Sequence, residues 1–213
     1  MGRSYANVMF TPRIKEQQTV HGSRAAYERY ERYAEAGDRL SPMERQFLLE
    51  RDSFYIASMT ENGWPYIQHR GGPRGFLHVF DDTSFGFADL RGNKQYISVG
   101  NLLNDDRVSL FFMDYPNQLR LKIIGHARIH EGPEAKALID ELYRPEVQVP
   151  VERAIVIHIV ALDWNCSQHI TPRFTQEQVL LYTQTLRERI ADLENENARL
   201  RGSAENRPKA QTK

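Results

Sequence analysis

The spacing of apolar and polar positions changes character twice along the chain. Up to about residue 50 the sequence is polar and rich in Arg, Glu and Tyr, with a helical repeat in AAYERYERYAEA that breaks at Gly37. SPMERQFLLE follows. Ser41 reads as an N-cap and Pro42 as the first helical residue, where a missing N–H leaves nothing unpaired. From Ser53 to Leu162 the pattern becomes short β-rich runs: SFYIASMT, WPYIQHR, FLHVF, TSFGFAD, RVSLFFMD, QLRLKIIGHARIH and RAIVIHIVAL. Asn62-Gly63, Asp81-Asp82 and Tyr115-Pro116-Asn117 supply turns between them, and PEAKALIDELY supplies a helix before the last strand. Connections this short make consecutive strands antiparallel neighbours. Around six strands with two short helical insertions predict a mainly β fold, a small β-barrel with flanking helices.

In QLRLKIIGHARIH a period of two sets Leu119, Leu121 and Ile123 on one face and Arg120, Lys122 and Ile124 on the other. The paired cations read either as a solvated outer face or as an anion site. From about Thr175 the period changes again. Val179, Leu186, Leu193 and Leu200 recur every seven residues, with Thr183, Ile190 and Asn197 at the other seam position. With the leucines at d, Arg189 at g faces Glu194 at e of a parallel partner, and Glu196 faces Arg201. The pattern reads either as a self-associating coiled-coil helix or as an amphipathic helix packed on its own domain. The expected layout is a helical arm over 1–40, a barrel over 41–174, a C-terminal helix over 175–201 and a polar, disordered tail over 202–213.

Composition narrows the function classes. Lys+Arg and Asp+Glu are both 28 in 213 residues, so no net charge gathers polyanions, and nucleic acid is not an expected partner. Cys166 is the only cysteine, which rules out an intrachain disulfide and reads as a small structural residue. No stretch reaches the roughly 18 apolar residues of a membrane span, and the N-terminus has no apolar signal core; the plain expectation is a cytoplasmic protein without a membrane partner.

Several stretches carry candidate chemistry. GGPRGF matches neither phosphate-loop spacing and reads as a glycine-rich β connection or as a close backbone approach to a ligand. His126 and His130 share a strand face and His158 sits in an apolar run, but none has metal-ligand spacing; no metal is expected, and His158 reads as a buried structural histidine. His69, between Gln68 and Arg70 at a strand end, is a binding candidate. DLRGNKQYISVGNLLNDDRVSLFF joins a strand end to a polar loop and a short helix. Such a helix N-terminus offers free N–H groups, and Asn93, Lys94, Gln95 and Ser98 offer donors suited to phosphate, although ordinary capping would use the same residues.

Taken together, PYIQHRGGPRGF, TSFGFAD, GNKQYISVGNLLNDDRVSLFF and RLKIIGHARI resemble the pyridoxamine 5'-phosphate oxidase-like, FMN-binding split-barrel proteins, over roughly residues 40 to 174. The likeness is closer to the flavin-nucleotide-binding branch, with its QHRGGPxGF and GNxQ patterns and a terminal QHITPR, here Gln168 to Arg173. The resemblance implies a homodimer of Greek-key split barrels with FMN in clefts at the subunit interface. It implies that Gln68, His69, Arg70, Asn93, Lys94, Gln95 and Ser98 hold the ribityl phosphate. It further implies that a partner subunit brings the strand carrying Arg120 and Lys122, and that Gln168, His169, Thr171 and Arg173 approach the flavin ring. Trp64, Tyr66, Phe85 and Phe87 are available to wall the cleft. The sequence departs from the family at one point, where Ser98 stands in the usual lysine position and Lys94 lies one turn upstream. It also lacks the C-terminal Arg-Leu segment that grips pyridoxamine phosphate.

The function expected from this likeness is an FMN-dependent oxidoreductase acting on a small molecule or reduced nicotinamide, with no catalytic acid or base identifiable. The alternatives are a non-catalytic FMN carrier, sensor or interaction protein, or a pyridoxamine 5'-phosphate oxidase.

Overall fold

The computed structural model describes residues 3–32, 38–164 and 168–205. The break expected at Gly37 and the reading of Cys166 lie outside these residues. The chain divides into two compact units, Met1–Thr171 and Pro172–Lys213.

In the first unit, three helices, α1 (Arg3–Met9), α2 (Pro12–Val20) and α3 (Arg24–Arg32), precede α4 (Pro42–Leu49). α1 packs on the last strand and buries Ala6 completely. α4 begins as expected: the Met43 N–H donates to Ser41 Oγ at 3.2 Å, and the Ser41 N–H donates to Glu44 Oε2 at 3.0 Å, which closes a capping box. Glu44 is itself buried and takes a second donor, Trp164 Nε1, at 2.7 Å. Burial raises the Glu44 pKa, but the hydrogen bonds from Ser41 and Trp164 outweigh it, so the carboxyl titrates below its ordinary value of 4.5.

Seven strands, one in each of the β-rich runs of the sequence, form one antiparallel sheet. They are β1 (Ser53–Met59), β2 (Pro65–Gly71), β3 (His78–Val79), β4 (Ser84–Leu90), β5 (Arg107–Asp114), β6 (Leu119–His130) and β7 (Val151–Trp164), in the order β2-β1-β5-β6-β7-β4-β3. α5 (Ile97–Asn104) connects β4 to β5, and a short 3₁₀ turn with α6 (Lys136–Leu142) connects β6 to β7. The sheet is rolled. β1 and β4 stand four strand spacings apart, about 19 Å on a flat sheet, yet the rings of Phe54 and Phe87 meet edge to face with centroids 5.2 Å apart. Phe112 stacks on Phe54 at 5.0 Å and Phe85 meets Phe112 at 6.0 Å, so one aromatic cluster fills the interior. Phe85 and Phe87 are fully buried there and wall no cleft, because their strand turns that phase inward.

The β6–β7 pairing carries the decisive irregularity. Ile124 pairs with Ala161 while Gly125 pairs with Ile159, so Val160 is an extra residue on β7. Before it, Ile155, Ile157 and Ile159 face the core; after it, Leu162 and Trp164 do. The opposite phase turns outward, so His158 is exposed, contrary to the buried role its apolar neighbours suggest. Gly125 is required at this step, because a Cβ there would lie 2.3 Å from the His158 carbonyl oxygen.

The second unit holds α7 (Gln176–Glu205), which runs past the expected end at residue 201. Thr175 and Gln178 form its start, the Thr175 N–H donating to Gln178 Oε1 at 2.9 Å and the Gln178 N–H to Thr175 Oγ1 at 3.2 Å. Among the described residues no helix is long and apolar enough to cross a membrane.

Two stability outcomes follow. Gly125→Ala forces the β6–β7 ladder apart and is expected to cost about 3 kcal/mol, read from the midpoint of urea unfolding. Because the folded Glu44 pKa is depressed, its stabilisation is complete above the unfolded carboxylate range and is lost as pH falls from 4.5 through the lower folded value. Glu44→Gln should therefore flatten the acid limb of the stability curve, and an unchanged limb would refute the assignment.

Candidate functional site

The cleft at the seam of the rolled sheet is assembled from five segments. On β2 the alternation leaves Tyr66, Gln68 and Arg70 half-buried on one face and Ile67 and His69 exposed on the other. The first face meets Asp89 at the end of β4, the Gly92–Gln95 loop, the first turn of α5, and Glu152 and Arg153 at the start of β7. Together they enclose a small, open, predominantly polar cleft of about 60 Å³.

Asp89 organises its floor. It is buried and lies directly across the β4–β7 pairing from Arg153, whose Nη1 donates to Asp89 Oδ2 at 2.9 Å. The other carboxylate oxygen accepts from Arg70 Nη1. Arg70 keeps its Nε–H buried with no hydrogen-bond partner. A buried donor without an acceptor is costly, so the site lacks a group that would accept it. Arg153 also meets Glu152 at 3.2 Å and Glu131 at 3.3 Å, and its guanidinium lies 5.3 Å from the Tyr96 ring.

The loop above this floor is strained. Lys94 and Tyr96 have φ of 61° and 54°, left-handed values that cost a side-chain-bearing residue about 1–2 kcal/mol each. Alternating left-handed residues turn successive backbone N–H groups toward a common point, which makes an anion-binding hollow. Tyr96 is also the N-cap of α5 and gives it no side-chain cap, so the first-turn N–H groups of a helix whose residues Ile97 to Val99 line the cleft are left for another acceptor. Asn93 Oδ1 stabilises the loop by accepting the Gln95 N–H at 3.1 Å. Gln68 Oε1 accepts both Ser98 Oγ, at 3.0 Å, and Tyr66 Oη, at 2.9 Å, which leaves its NH₂ group to donate elsewhere. Arg70, Lys94 and Arg153 outnumber Asp89 and Glu152, and with the α5 N-terminus they give the cleft a positive excess. The donor set suits an anion with several oxygens, such as a phosphate monoester.

Of the residues expected from the sequence, Gln68, Arg70, Asn93, Lys94, Gln95 and Ser98 come together here. Lys94 and Ser98 both line the cleft, Lys94 exposed and Ser98 buried. His69 faces the other way, its ring edge on Tyr55 at 5.5 Å. Arg120 and Lys122 lie on the outer face of β6 and do not line the cleft of their own chain. Lys122 Nζ is 2.6 Å from the buried Asp163 and 4.7 Å from the Tyr5 ring centroid, while the Arg120 guanidinium lies over Phe111 at 5.2 Å, its Nε buried and unpartnered. Gln168 and His169 form an exposed turn after β7, Thr171 is exposed, and Arg173 belongs to the second unit. Gly71 and Gly72 border a separate small pocket with Phe76 and Leu142.

The sequence reading missed Asp89, Arg153, Tyr96 and Glu152 as site residues. A signal was present for two of them. Asp89 shares the inward phase of Phe85 and Phe87, and Arg153 that of Ile155 and Ile157, so each is a charge at a core position at its strand's end. A second cavity of about 480 Å³, lined by Val8, Met9, Met59, Ile124 and Val160 with Arg107 and His126 at its edge, is apolar and lacks converging donors. Among the described residues no cluster of His, Cys, Asp or Glu could hold a metal ion.

The family model described as pyridoxamine 5'-phosphate oxidase matches residues 40–161, more than half of the chain. No curated protein matches. Among solved structures, HupZ of Group A Streptococcus is 18% identical, covers 63% of this chain and 100% of its own, and superposes with a TM-score of 0.47. A Clostridium acetobutylicum protein related to general stress protein 26, of the pyridoxinephosphate oxidase family, is 15% identical over 64% of this chain and 94% of its own, with a TM-score of 0.46. An FMN-binding protein from Syntrophomonas wolfei is 13% identical over 70% and 97%, with a TM-score of 0.43.

Removing the bridging carboxylate leaves two buried guanidinium groups facing each other. Asp89→Ala is expected to cost about 3–5 kcal/mol, against little change for the exposed Asp52→Ala, both measured by urea unfolding.

Proposed function

Because this chain belongs to the pyridoxamine 5'-phosphate oxidase family, we propose that it binds FMN, with the phosphate in the cleft between β2, β4 and the start of α5. The observation that carries this reading is the convergence on one polar hollow of Arg70, Lys94, Arg153 and an uncapped helix N-terminus, with the Arg70 Nε–H buried and lacking an acceptor. A phosphate dianion supplies both the negative charge and the acceptors that this arrangement leaves unmatched.

In this reading Arg70 and Arg153 hold the anion by charge, and Asp89 fixes the direction of both guanidinium groups before the ligand arrives. The backbone at Asn93–Tyr96 and the first turn of α5 donate N–H groups. The Gln68 amide, oriented by Tyr66 and Ser98, donates along the sugar-alcohol chain. Tyr96, half-exposed beside Arg153, shields the phosphate from water. Bound FMN would supply hydride and single-electron chemistry. The chain then acts as an oxidoreductase on a small molecule or reduced nicotinamide.

Arg120 and Lys122 enter the same reading through a second copy, in a homodimer that shares each cofactor between subunits. Their outward position on β6, with exposed Tyr55, Met59 and Ile67 on the outward phase of β1 and β2, beyond β5 in the same sheet, supports a partner on that side of the sheet.

The test is flavin content and affinity. The purified protein should carry FMN, and Arg70→Ala should weaken binding by about tenfold to a hundredfold, as expected for one charge-assisted hydrogen bond, measured by fluorescence titration of the stripped protein. Arg120→Ala, which breaks no ion pair described within its own chain, should also lower affinity. Unchanged FMN binding by Arg70→Ala would overturn the cleft assignment; unchanged binding by Arg120→Ala would overturn the shared site.

A further inference from the structure

The C-terminal helix has an apolar seam of its own. α7 spans 30 residues, about 45 Å, and forms a unit distinct from the barrel. Val179, Leu186, Leu193 and Leu200 fall on one stripe at intervals of seven and are all exposed, Leu186 at 64% and Leu200 at 54%. An isolated helix gains nothing from such a stripe, and a facing helix of matching spacing covers it.

We propose that α7 pairs in parallel and in register with α7 of a second copy of this chain. Charge selects the occupant. With the leucines at d, Arg189 at g lies opposite Glu194 at e of the partner helix, and Glu196 lies opposite Arg201, so both cross-helix pairs are of opposite sign. Polarity selects the direction. A parallel, in-register pair sets Asn197 against Asn197 at an a layer, where the two amides hydrogen-bond to each other; an antiparallel pair sets each Asn197 against a leucine, leaving its amide unpaired in an apolar layer. The adjacent a layer is Ile190 against Ile190, and β-branched residues at a with leucine at d suit two strands. The seam therefore fits a second α7 and fixes its polarity.

The experiment uses the full chain in a Cys166→Ser background. In a parallel pair the two Leu200 positions are adjacent across the seam, so Leu200→Cys should cross-link into a disulfide dimer under mild oxidation. Asn195→Cys, on the outward f position, should not, because its Cβ atoms are too far apart to bridge. Arg189→Glu, placed opposite Glu194, should reduce the Leu200→Cys cross-linking several-fold, and adding Glu194→Arg should restore it. Absence of the Leu200→Cys dimer, equal cross-linking from Asn195→Cys, or a Leu186→Cys chain that cross-links to an Asn197→Cys chain while neither cross-links to itself, as an antiparallel pair with a facing d requires, would each overturn the proposal. The readout does not depend on flavin, so its failure leaves the cofactor assignment standing.

Discussion

The contact on which the rest of the first unit depends is Asp89 between two arginines. Arg70 belongs to β2, at one edge of the sheet, and Arg153 to β7, next to Asp89's own strand near the other edge. On a flat sheet β2 and β4 would stand five spacings, about 24 Å, apart. One carboxylate reaching both therefore requires closure of the sheet, and in a buried position it is tolerable only because both of its oxygens are taken by cations. Aromatic burial drives the roll and this ion triad fixes its register at the mouth.

The same constraint makes the cleft. Two guanidinium groups are held close together by the intervening carboxylate, and the loop into α5 arrives above them in a conformation that Lys94 and Tyr96 adopt at a cost. Strain in the loop, a helix start without a cap and a buried donor without an acceptor coincide within one hollow. Each of these is unfavourable alone. A bound phosphate would satisfy all three, which is why the proposed cofactor and the local irregularities have one explanation.

The bulge at Val160 has a second influence, on the outer surface. By switching the inward phase of β7 it sends Asp163 outward, where Lys122 meets it, and exposes His158 on the other side of the step. The outer face of β6 is thus built separately from the cleft of its own chain. Two kinds of association are proposed, one through the outer sheet and one through α7, and they use different physics: broad apolar cover with shared ligand contacts in the first, periodic seam packing with charge matching in the second.

Much of this was set by local chemistry. Ser41, Pro42 and Glu44 start α4 wherever that segment is placed, turn residues separate the strands, and the seven-residue spacing in α7 needs no tertiary context to be read. The gathering of Gln68, Arg70, Asn93, Lys94, Gln95 and Ser98 was also legible, because they lie in two short segments whose patterns resemble one family's ligand loops. What folding alone decided concerns pairs distant in sequence. Asp89 and Arg153 are 64 residues apart, and their partnership depends on strand register. The exposure of His158 depends on one extra residue in β7, and the seclusion of Phe85 and Phe87 depends on how far the sheet rolls. Alternation along a strand shows which residues share a face; whether that face meets the core, the cleft or a neighbouring subunit is a property of closure, and no local pattern encodes it.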